Sequence, residues 1–131
     1  VLWPPPRAPG APPPAGDPND LAAVALLRDG DFDLLLSADA ESHVTAALAL
    51  PQVDALKVAH HGSADPGLPA LLARLRPRFA AIEVGRRNRY GHPAPQALAA
   101  LRAVPAVYRT DRDGTVRLSV AGGRLEVTTG G

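Results

Sequence analysis

The sequence contains no cysteine, and its 131 residues include only one tryptophan, two tyrosines and two phenylalanines. The absence of cysteine excludes disulfide bonds and thiolate metal ligands. Because aromatic residues are so few, the core must be built mainly from leucine, valine and alanine. No apolar run approaches the roughly 18 residues of a membrane-spanning helix, and no signal-peptide pattern opens the chain.

The chain also has no large excess of positive or negative residues, since its net charge is +1. No overall field therefore draws the chain toward nucleic acid or a membrane surface. The basic residues are nearly all arginine, because Lys57 is the single lysine beside 13 arginines. Arginine suits bidentate contacts with phosphate, although genome composition alone can produce the same bias. The length is sufficient for one domain with its own core.

Proline, in contrast, is abundant, and eight of the 15 prolines fall within the first 18 residues. Proline fixes φ and removes a backbone donor, so residues 4–18 should form an extended or disordered loop. The apolar Val1-Leu2-Trp3 before this loop is strand-like, with a flexible end as the alternative. We therefore predict a strand remnant and proline-rich loop over residues 1–18, followed by a folded unit over residues 19–131.

The rest of the chain alternates between strand and helix patterns. Two apolar runs around Asp29-Gly30-Asp31 predict a hairpin over residues 21–38, and a last hairpin is predicted over residues 115–129. Between them, helices are predicted over residues 40–50, 67–77 and 94–104, and strands over residues 53–61, 79–85 and 106–110. This order predicts an α/β fold in which about three helices pack on a mixed sheet, with hairpins at both ends.

Polar side chains follow three of the predicted strands at the point where each strand ends. In α/β folds, chemistry collects at such strand ends. A carboxylate with several imidazoles suits Zn, Fe or Mn, and two ions could hold both the attacking and the leaving oxygen of a phosphoester. The residues concerned are Asp39 after the first strand, His60 and His61 after the second, and Asn88, Tyr90 and His92 after the third.

Each of these residues also has a structural interpretation. Asp39 could cap the following helix, which weighs as much as metal ligation on this evidence. His92 could cap the next helix in the same way, and His43 is expected to be simply exposed. The adjacent pair His60 and His61 is harder to explain structurally, because two polar rings at a buried strand end need partners.

Four motifs in order resemble the C-terminal metallo-β-lactamase-like domain of ComEC-type competence proteins, which are membrane proteins that bring DNA into bacteria. The motifs are "NDLAAVALLRDGDFDLLLSADAE", "LKVAHHGS", "NRYGHP" and "VYRTDRDGTVRL". Each is modest by itself, but their order and approximate spacing match the family. The resemblance covers about residues 17–120 and implies the C-terminal half of an αββα sandwich.

The resemblance also implies roles for single residues. Asp39 stands at the position of the metal-bridging aspartate, and His61 at that of the last metal-ligating histidine. His60 would face the substrate or support the metal shell, and it could stabilise a phosphate oxygen or protonate a leaving group. His92 is the second candidate catalytic residue, at the rim of the site.

Further residues would surround this centre. Ser63 could hold its loop or touch phosphate, and Asn88 and Tyr90 would line the rim as substrate-binding residues. Lys57 could orient a carboxylate by ion pairing or serve the structure only. The remaining motif residues, Asp111 and Gly114, are expected to shape a turn.

The chain departs from the family pattern at two points. The usual glycine before the bridging aspartate is Ala38, which is acceptable unless φ must be positive. The His-x-His-x-Asp-His motif, which supplies most metal ligands in this fold family, is absent. The chain thus resembles only the second half of the sandwich, and Val1-Leu2-Trp3 would join it to a first half. With only Asp39 and His61 as expected ligands, tight metal binding by this half is not expected.

The resemblance therefore implies that the chain is part of a metal-dependent phosphodiesterase or nuclease that acts on DNA during uptake. The chain would be inactive as an isolated fragment, because catalysis would also require the first half of the domain. One alternative is a non-catalytic scaffold or DNA-contacting domain of the same transporter. Another is a phosphoester hydrolase of a different metallo-β-lactamase family.

The same resemblance sets the expected cofactor, partners and location. The cofactor would be Zn or Mn, and the partners would be DNA, the first half of the domain and the parent membrane channel. An isolated half should expose an apolar sheet face, so a homodimer is also expected. The chain would be a soluble domain of a bacterial inner-membrane protein. The sequence does not fix the side of the membrane, and the resemblance favours the outer side.

Overall fold

The computed structural model describes residues 1–12 and 14–130 of the chain. Its strands are β1 (Ala25–Asp29), β2 (Phe32–Leu36), β3 (Ala55–Lys57), β4 (Phe79–Ile82), β5 (Ala106–Arg109), β6 (Thr115–Ala121) and β7 (Arg124–Gly130). Its helices are α1 (Ser42–Thr45), α2 (Leu68–Leu75), α3 (Pro95–Leu101) and α4 (Thr110–Asp113), with 3₁₀ turns at Pro18–Leu21 and Ala59–Gly62. Pro13 and Gly131, which fall within the predicted segments 1–18 and 19–131, lie outside the described residues.

The first five strands form one mixed sheet in sequence order. Strands β1 and β2 are antiparallel and are joined by the two-residue turn Gly30-Asp31, as the sequence predicts. Strands β2 to β5 are parallel, so their carboxyl ends meet at one edge of the sheet. Strands β6 and β7 form a separate antiparallel hairpin. The prediction of an α/β fold with a mixed sheet and hairpins at both ends is confirmed, with a fourth helix of a single turn.

The main core lies between the sheet and the helices. The leucines of α2 that the sequence places on one face, Leu68, Leu71, Leu72 and Leu75, are all buried. They pack with sheet residues such as Leu35 and Ile82. Burial of each such side chain contributes roughly 2 kcal/mol of hydrophobic free energy. The helix ends at Leu75, followed by Arg76 in a left-handed conformation with a φ of 50°, and Pro77 prevents its continuation.

The opposite face of the sheet is only partly covered. The β6–β7 hairpin stands over this face and leaves a groove of about 670 Å³. The groove has an apolar lining from both sheets, including Leu34, Leu36, Phe79, Tyr108, Val116 and Val127. Strand residues with the opposite alternation, such as Leu35 and Ala80, face the helices. The sheet therefore has apolar residues on both faces.

The first residues of the chain pair with the main sheet. Trp3 forms an antiparallel bridge with Val24, whose N–H donates to the Trp3 carbonyl (3.0 Å). The indole Nε1 donates to the Asp20 carbonyl (2.6 Å). These bonds place Trp3 beside the residue that precedes β1, in agreement with the strand-like pattern of the first residues.

Two predicted elements are much shorter in the structure. The helix expected over residues 40–50 is the single turn α1. Beyond it the backbone bonds are of the shorter 3₁₀ type, since the Leu48 N–H donates to the Thr45 carbonyl (3.2 Å). Arg74 also donates to the carbonyls of Thr45 (3.1 Å) and Ala46 (2.8 Å) at this point. The strand expected over residues 53–61 ends at Lys57, and the histidine pair lies in the turn that follows. Within the described residues, no helix is both long and apolar enough to span a membrane.

Candidate functional site

A tight turn carries the chain from the end of β2 to Asp39. Ala38 within this turn has a φ of 44°, a left-handed conformation that favours glycine. Its carbonyl accepts hydrogen bonds from the backbone N–H of His60 (2.9 Å) and from Lys57 Nζ (3.2 Å). These bonds hold the Asp39 turn against the loop that carries the histidine pair.

The structure brings Asp39 and His61 together. His61 Nε2 lies 3.8 Å from Asp39 Oδ1, and both side chains are partly open to solvent, with 44% and 38% exposed. His61 Nδ1 lies 2.7 Å from the Glu83 carbonyl oxygen. Because a carbonyl only accepts, Nδ1 carries a proton and donates, so in the neutral ring Nε2 is the nitrogen with a lone pair for a metal ion. Metal-ligating histidines are commonly oriented in this way.

Asp39 does not cap α1, so that structural alternative is wrong. The residue at the N-cap position is Glu41, and its side chain makes no capping bond. The N–H of Ser42 instead donates to Asp65 Oδ2 (2.8 Å), and the Ser42 hydroxyl donates to the other Asp65 oxygen. Asp65 therefore satisfies the first turn of α1 and leaves the Asp39 carboxylate free of that task.

His60 is held by a carboxylate that the sequence does not single out. His60 Nδ1 lies 3.0 Å from Glu41 Oε1, and the Ser63 hydroxyl donates to the same oxygen. His60 has a φ of 46° and a ψ of 44°, and His61 also has a positive φ. Since Nδ1 is engaged with Glu41, Nε2 is the atom of His60 that remains for a substrate. The hydroxyl of Ser63 fits its proposed loop-holding role, because the residue is buried.

Glu41 and Asp65 are the site residues that sequence reasoning missed. Each acts through a contact more than 15 residues away in sequence, which no local pattern encodes. The available signal was the short spacing between Asp39 and Glu41. Asp39 and Glu41 both follow β2, and the neighbouring strand β3 is followed by His60 and His61. Both acids can therefore face the loop that carries the two histidines.

The loop over residues 86–93 is braced from within by Asn88. Its Nδ2 donates to the His92 carbonyl (2.6 Å) and to the Gly85 carbonyl (3.3 Å), and its Oδ1 accepts from the His92 N–H (3.0 Å). Both ends of the amide are therefore used inside the loop. Tyr90 is 84% exposed, and its ring stacks on that of His92 with 6.2 Å between centroids.

His92 lies beside His60 and does not cap α3. The two ring centroids are 5.7 Å apart, and α3 begins after Ala94 with no side-chain cap. His92 Nδ1 is buried and has no hydrogen-bond partner among the described residues. A histidine with only a structural role would normally have a partner for such an atom.

The two histidine-bearing loops are docked against each other at Gly62. The Ala94 N–H donates to the Gly62 carbonyl (2.7 Å). A Cβ on Gly62 would lie 2.7 Å from Pro93 Cβ, and Gly62 has a φ of 80°. Only glycine combines this backbone angle with this close approach. The docking explains why a glycine must follow the histidine pair.

Charged residues at the neighbouring strand ends serve mainly to brace the site. Lys57 Nζ lies 3.9 Å from Glu83 Oε2. Beyond β5, Arg109 makes two hydrogen bonds to Asp111 (2.6 and 3.0 Å), and these lower the pKa of the Asp111 carboxyl. Asp111 thus stabilises the turn at α4, which ends at Gly114 with a φ of 71°.

Thr110 ties the ends of β4 and β5 together. Its hydroxyl donates to the Val84 carbonyl (2.8 Å) and accepts from the Val84 N–H (2.8 Å). Because Val84 bonds to this side chain, the strand expected over residues 79–85 ends at Ile82. The loop that follows then begins at the edge where Asp39 and His61 lie.

His43 lies outside the cluster. Its side chain is exposed, as expected, and Nε2 lies 2.6 Å from Asp20 Oδ1. This hydrogen bond to Asp20 raises the pKa of His43. The contact joins α1 to the 3₁₀ turn that receives the Trp3 indole.

The donors Asp39 and His61 fit part of a divalent-metal shell. Two ligands that each lie about 2.1 Å from one zinc ion are separated by at most about 4.2 Å, and the observed separation is 3.8 Å. Carboxylate oxygen with imidazole nitrogen suits Zn or Mn. Within the described residues, no group of three or more His, Cys, Asp or Glu side chains is arranged to hold a metal ion.

Comparison with known proteins finds two relatives that match most of the chain. The chain is 34% identical over 115 residues to ComE operon protein 3 of Bacillus subtilis (strain 168), with 84% of this chain and 15% of the relative covered. It is 36% identical over 112 residues to Recombination protein 2 of Haemophilus influenzae, with 83% and 14% covered. The chain thus spans about a seventh of the length of these relatives. No protein-family profile matches, and no solved structure matches.

Proposed function

The chain is homologous to a segment of the ComEC-type competence proteins, and we propose that it forms the second half of a metal-dependent phosphodiesterase domain in such a protein. The domain would have the αββα architecture of the metallo-β-lactamase fold. Residues 19–131 would be the folded half, and Val1-Leu2-Trp3 would be the strand that leads into it. A preceding segment would supply the first half and most of the metal ligands.

The observation that carries the proposal is the pairing of Asp39 with His61 at one edge of the sheet. Their side chains come from loops after different strands, yet Nε2 and Oδ1 lie 3.8 Å apart. Neither residue is explained by a structural task, because Asp65 caps α1 and His61 uses only Nδ1 in its bond to Glu83. Partial exposure leaves the pair open to an ion and a substrate.

Asp39 and His61 would hold a divalent ion that, when bound, supplies Lewis-acid polarisation of a phosphoryl oxygen. The chain's own residues would do the remaining work. Glu41 accepts the Nδ1 proton of His60 and fixes the ring, so Nε2 would give a proton to the leaving oxygen from the ring protonated on both nitrogens and leave it neutral. The Ser63 hydroxyl donates to the same Glu41 oxygen and helps to keep the carboxylate in place.

His92 and the loop over residues 86–93 would face the substrate from the rim. The His92 ring lies against that of His60, and among residues 1–12 and 14–130 its Nδ1 has no hydrogen-bond partner. This supports contact with a phosphate or with a water near it. Asn88 would act indirectly, because both ends of its amide brace the loop. Tyr90 would contact the substrate directly.

The proposal is tested with the complete domain, expressed together with the segment that precedes this chain in the parent protein. With Mn²⁺ or Zn²⁺ added, we expect cleavage of single-stranded DNA. Asp39→Ala should abolish cleavage, because it removes one of the two side chains of this chain that would hold the divalent ion.

Matched controls separate loss of the site from loss of the fold. Asp31→Ala removes an exposed acid from the hairpin turn at the other end of β2, and His43→Ala removes an exposed imidazole outside the cluster. Both should cleave at close to the wild-type rate. Undiminished cleavage by Asp39→Ala would defeat the assignment.

A non-catalytic scaffold or DNA-contacting domain of the same transporter is the second candidate. The observation that favours it is the lack of a third metal donor within the described residues. The sequence of the preceding segment decides between the two, since a His-x-His-x-Asp-His motif there would complete a catalytic shell. DNA and the membrane channel of the parent protein would be the partners in either case.

A further inference from the structure

The loop that follows β4 concentrates positive charge beside the candidate site. Arg86, Arg87 and Arg89 fall within four residues of a chain whose net charge is only +1. All three are exposed. Within the described residues, none of their side chains makes an ion pair or a hydrogen bond, whereas Arg28, Arg74, Arg78 and Arg109 do. We call this segment, residues 86–90, the arginine loop.

The arginine loop has a fixed backbone. Asn88, in the middle of the three arginines, closes it with hydrogen bonds to Gly85 and His92. The far end is docked through Ala94 on the Gly62 carbonyl. The guanidinium groups therefore extend from a rigid base, which lowers the entropy lost when they bind a partner.

Tyr90 adds a flat apolar surface to this charge. Tyr90 is 84% exposed although its ring stacks on that of His92, so much of the side chain is open to a ligand. Its inner neighbour is His92, followed by His60 (5.7 Å between centroids) and His61 (6.5 Å). A row of rings thus leads from the surface to the residue that faces Asp39.

We propose that the arginine loop binds one strand of nucleic acid, with Arg86, Arg87 and Arg89 on its phosphates and the Tyr90 ring stacked on an unpaired base. Guanidinium groups with an exposed aromatic ring are the combination that recognises single strands, because each base offers a π-face only when it is unstacked. A duplex keeps its bases stacked and so cannot use Tyr90. The inference rests on the proposed function for its position beside the cleavage site, but binding itself requires no metal.

Binding is measured on the full chain with a fluorescein-labelled oligothymidylate, by anisotropy in EDTA over a range of NaCl concentrations. Each phosphate contact on a single strand contributes about 0.7 to the slope of log K against log salt. Replacing Arg86, Arg87 and Arg89 with Gln should therefore lower the slope by about 2 and the affinity at 0.1 M salt by about a hundredfold.

Tyr90 is tested separately from the charge. Tyr90→Leu should weaken binding by about tenfold or more, because stacking on one base is lost, and should leave the salt slope unchanged. Tyr90→Phe retains the ring and should bind as the wild type does. A labelled duplex of the same length should bind more weakly than the single strand, and Tyr90→Leu should remove that preference.

The matched control also replaces three arginines with glutamine, but at the opposite edge of the sheet. Arg76, Arg78 and Arg102 are exposed and precede the amino ends of β4 and β5. Their triple change to Gln gives the same net charge as the loop variant, and it should keep the wild-type slope and affinity. Far-ultraviolet circular dichroism checks that both triple variants keep the fold.

Three results would overturn the inference: no binding by the wild type at 0.05 M salt, equal losses in the two triple variants, or equal affinity of Tyr90→Leu and wild type for the single strand. The outcome is distinguishable from failure of the proposed function. If the arginine loop binds DNA but the complete domain does not cleave it, the hydrolase proposal fails and the binding proposal stands. If the complete domain cleaves DNA equally well with and without the loop changes, the binding proposal fails and the hydrolase proposal stands.

Discussion

At the scale of single residues, Ala38 shows what the Asp39 turn demands of the chain. Its φ of 44° directs its carbonyl toward His60 N–H and Lys57 Nζ. A left-handed conformation costs an L-residue roughly 1–2 kcal/mol. From the sequence, alanine is expected to replace the usual glycine without strain unless φ is positive at this position. The observed φ is positive, so Ala38 is strained. The strain is retained where the site is built.

Ala38→Gly should therefore stabilise the fold by roughly 0.5–1 kcal/mol, the relief of strain less the larger entropy of glycine in the unfolded chain. The free energy of unfolding is measured by urea titration. Ala73→Gly in α2 is the matched control, since Ala73 is exposed on a helix and should lose about 1 kcal/mol. A loss of stability in both variants would contradict the account.

The residues of the site were predictable to the extent that strand ends determine them. Asp39 and His61 were expected to meet because the carboxyl ends of neighbouring parallel strands share an edge, and they lie 3.8 Å apart. Glu41 was not predictable in the same way. Its contact with His60 depends on two consecutive left-handed residues at the histidine pair, and such a conformation is uncommon for any residue other than glycine.

At the scale of elements, the candidate site is formed by two loops that fit together at one glycine. Gly62 receives the N–H of Ala94 and packs against Pro93. The contact sets the distance between His60 and His92, which come from different loops. The loops are therefore a single unit, although His60 and His92 are 32 positions apart in the sequence.

Gly62→Ala should cost roughly 2–4 kcal/mol, because it adds a clash with Pro93 to the strain of a positive φ. Gly91→Ala is the matched control. Gly91 has a φ of 74° and nothing within 4 Å of its missing Cβ, so only the strain of about 1–2 kcal/mol applies. Thermal unfolding of both variants measures the difference, and equal losses would show that the close approach has no energetic role.

Element types were easier to predict than element ends. The leucine spacing of α2 and the turn residues of both hairpins led to the correct elements, because both signals are local. The end of α1 coincides with two hydrogen bonds from Arg74 to carbonyls 28 and 29 residues away, which no local pattern predicts. The end of β4 depends on Thr110 in the same way.

At the scale of the whole molecule, the sheet is apolar on both faces, and helices cover only one of them. The other face contains the groove of about 670 Å³ beneath the β6–β7 hairpin. An apolar face of this kind supports the proposal that a further sheet packs there in the complete domain. The homodimer expected from the sequence stays a prediction, and the hairpin already covers part of the surface that it would use.

The central claim is that Asp39 and His61 are two ligands of one divalent ion, completed by residues outside this chain. The most direct measurement is a crystal structure of the complete domain with zinc, located by its anomalous scattering. The account predicts a peak with one Asp39 oxygen and His61 Nε2 each within about 2.0–2.2 Å. A zinc ion bound elsewhere in the domain, with Asp39 and His61 both unliganded, would contradict it.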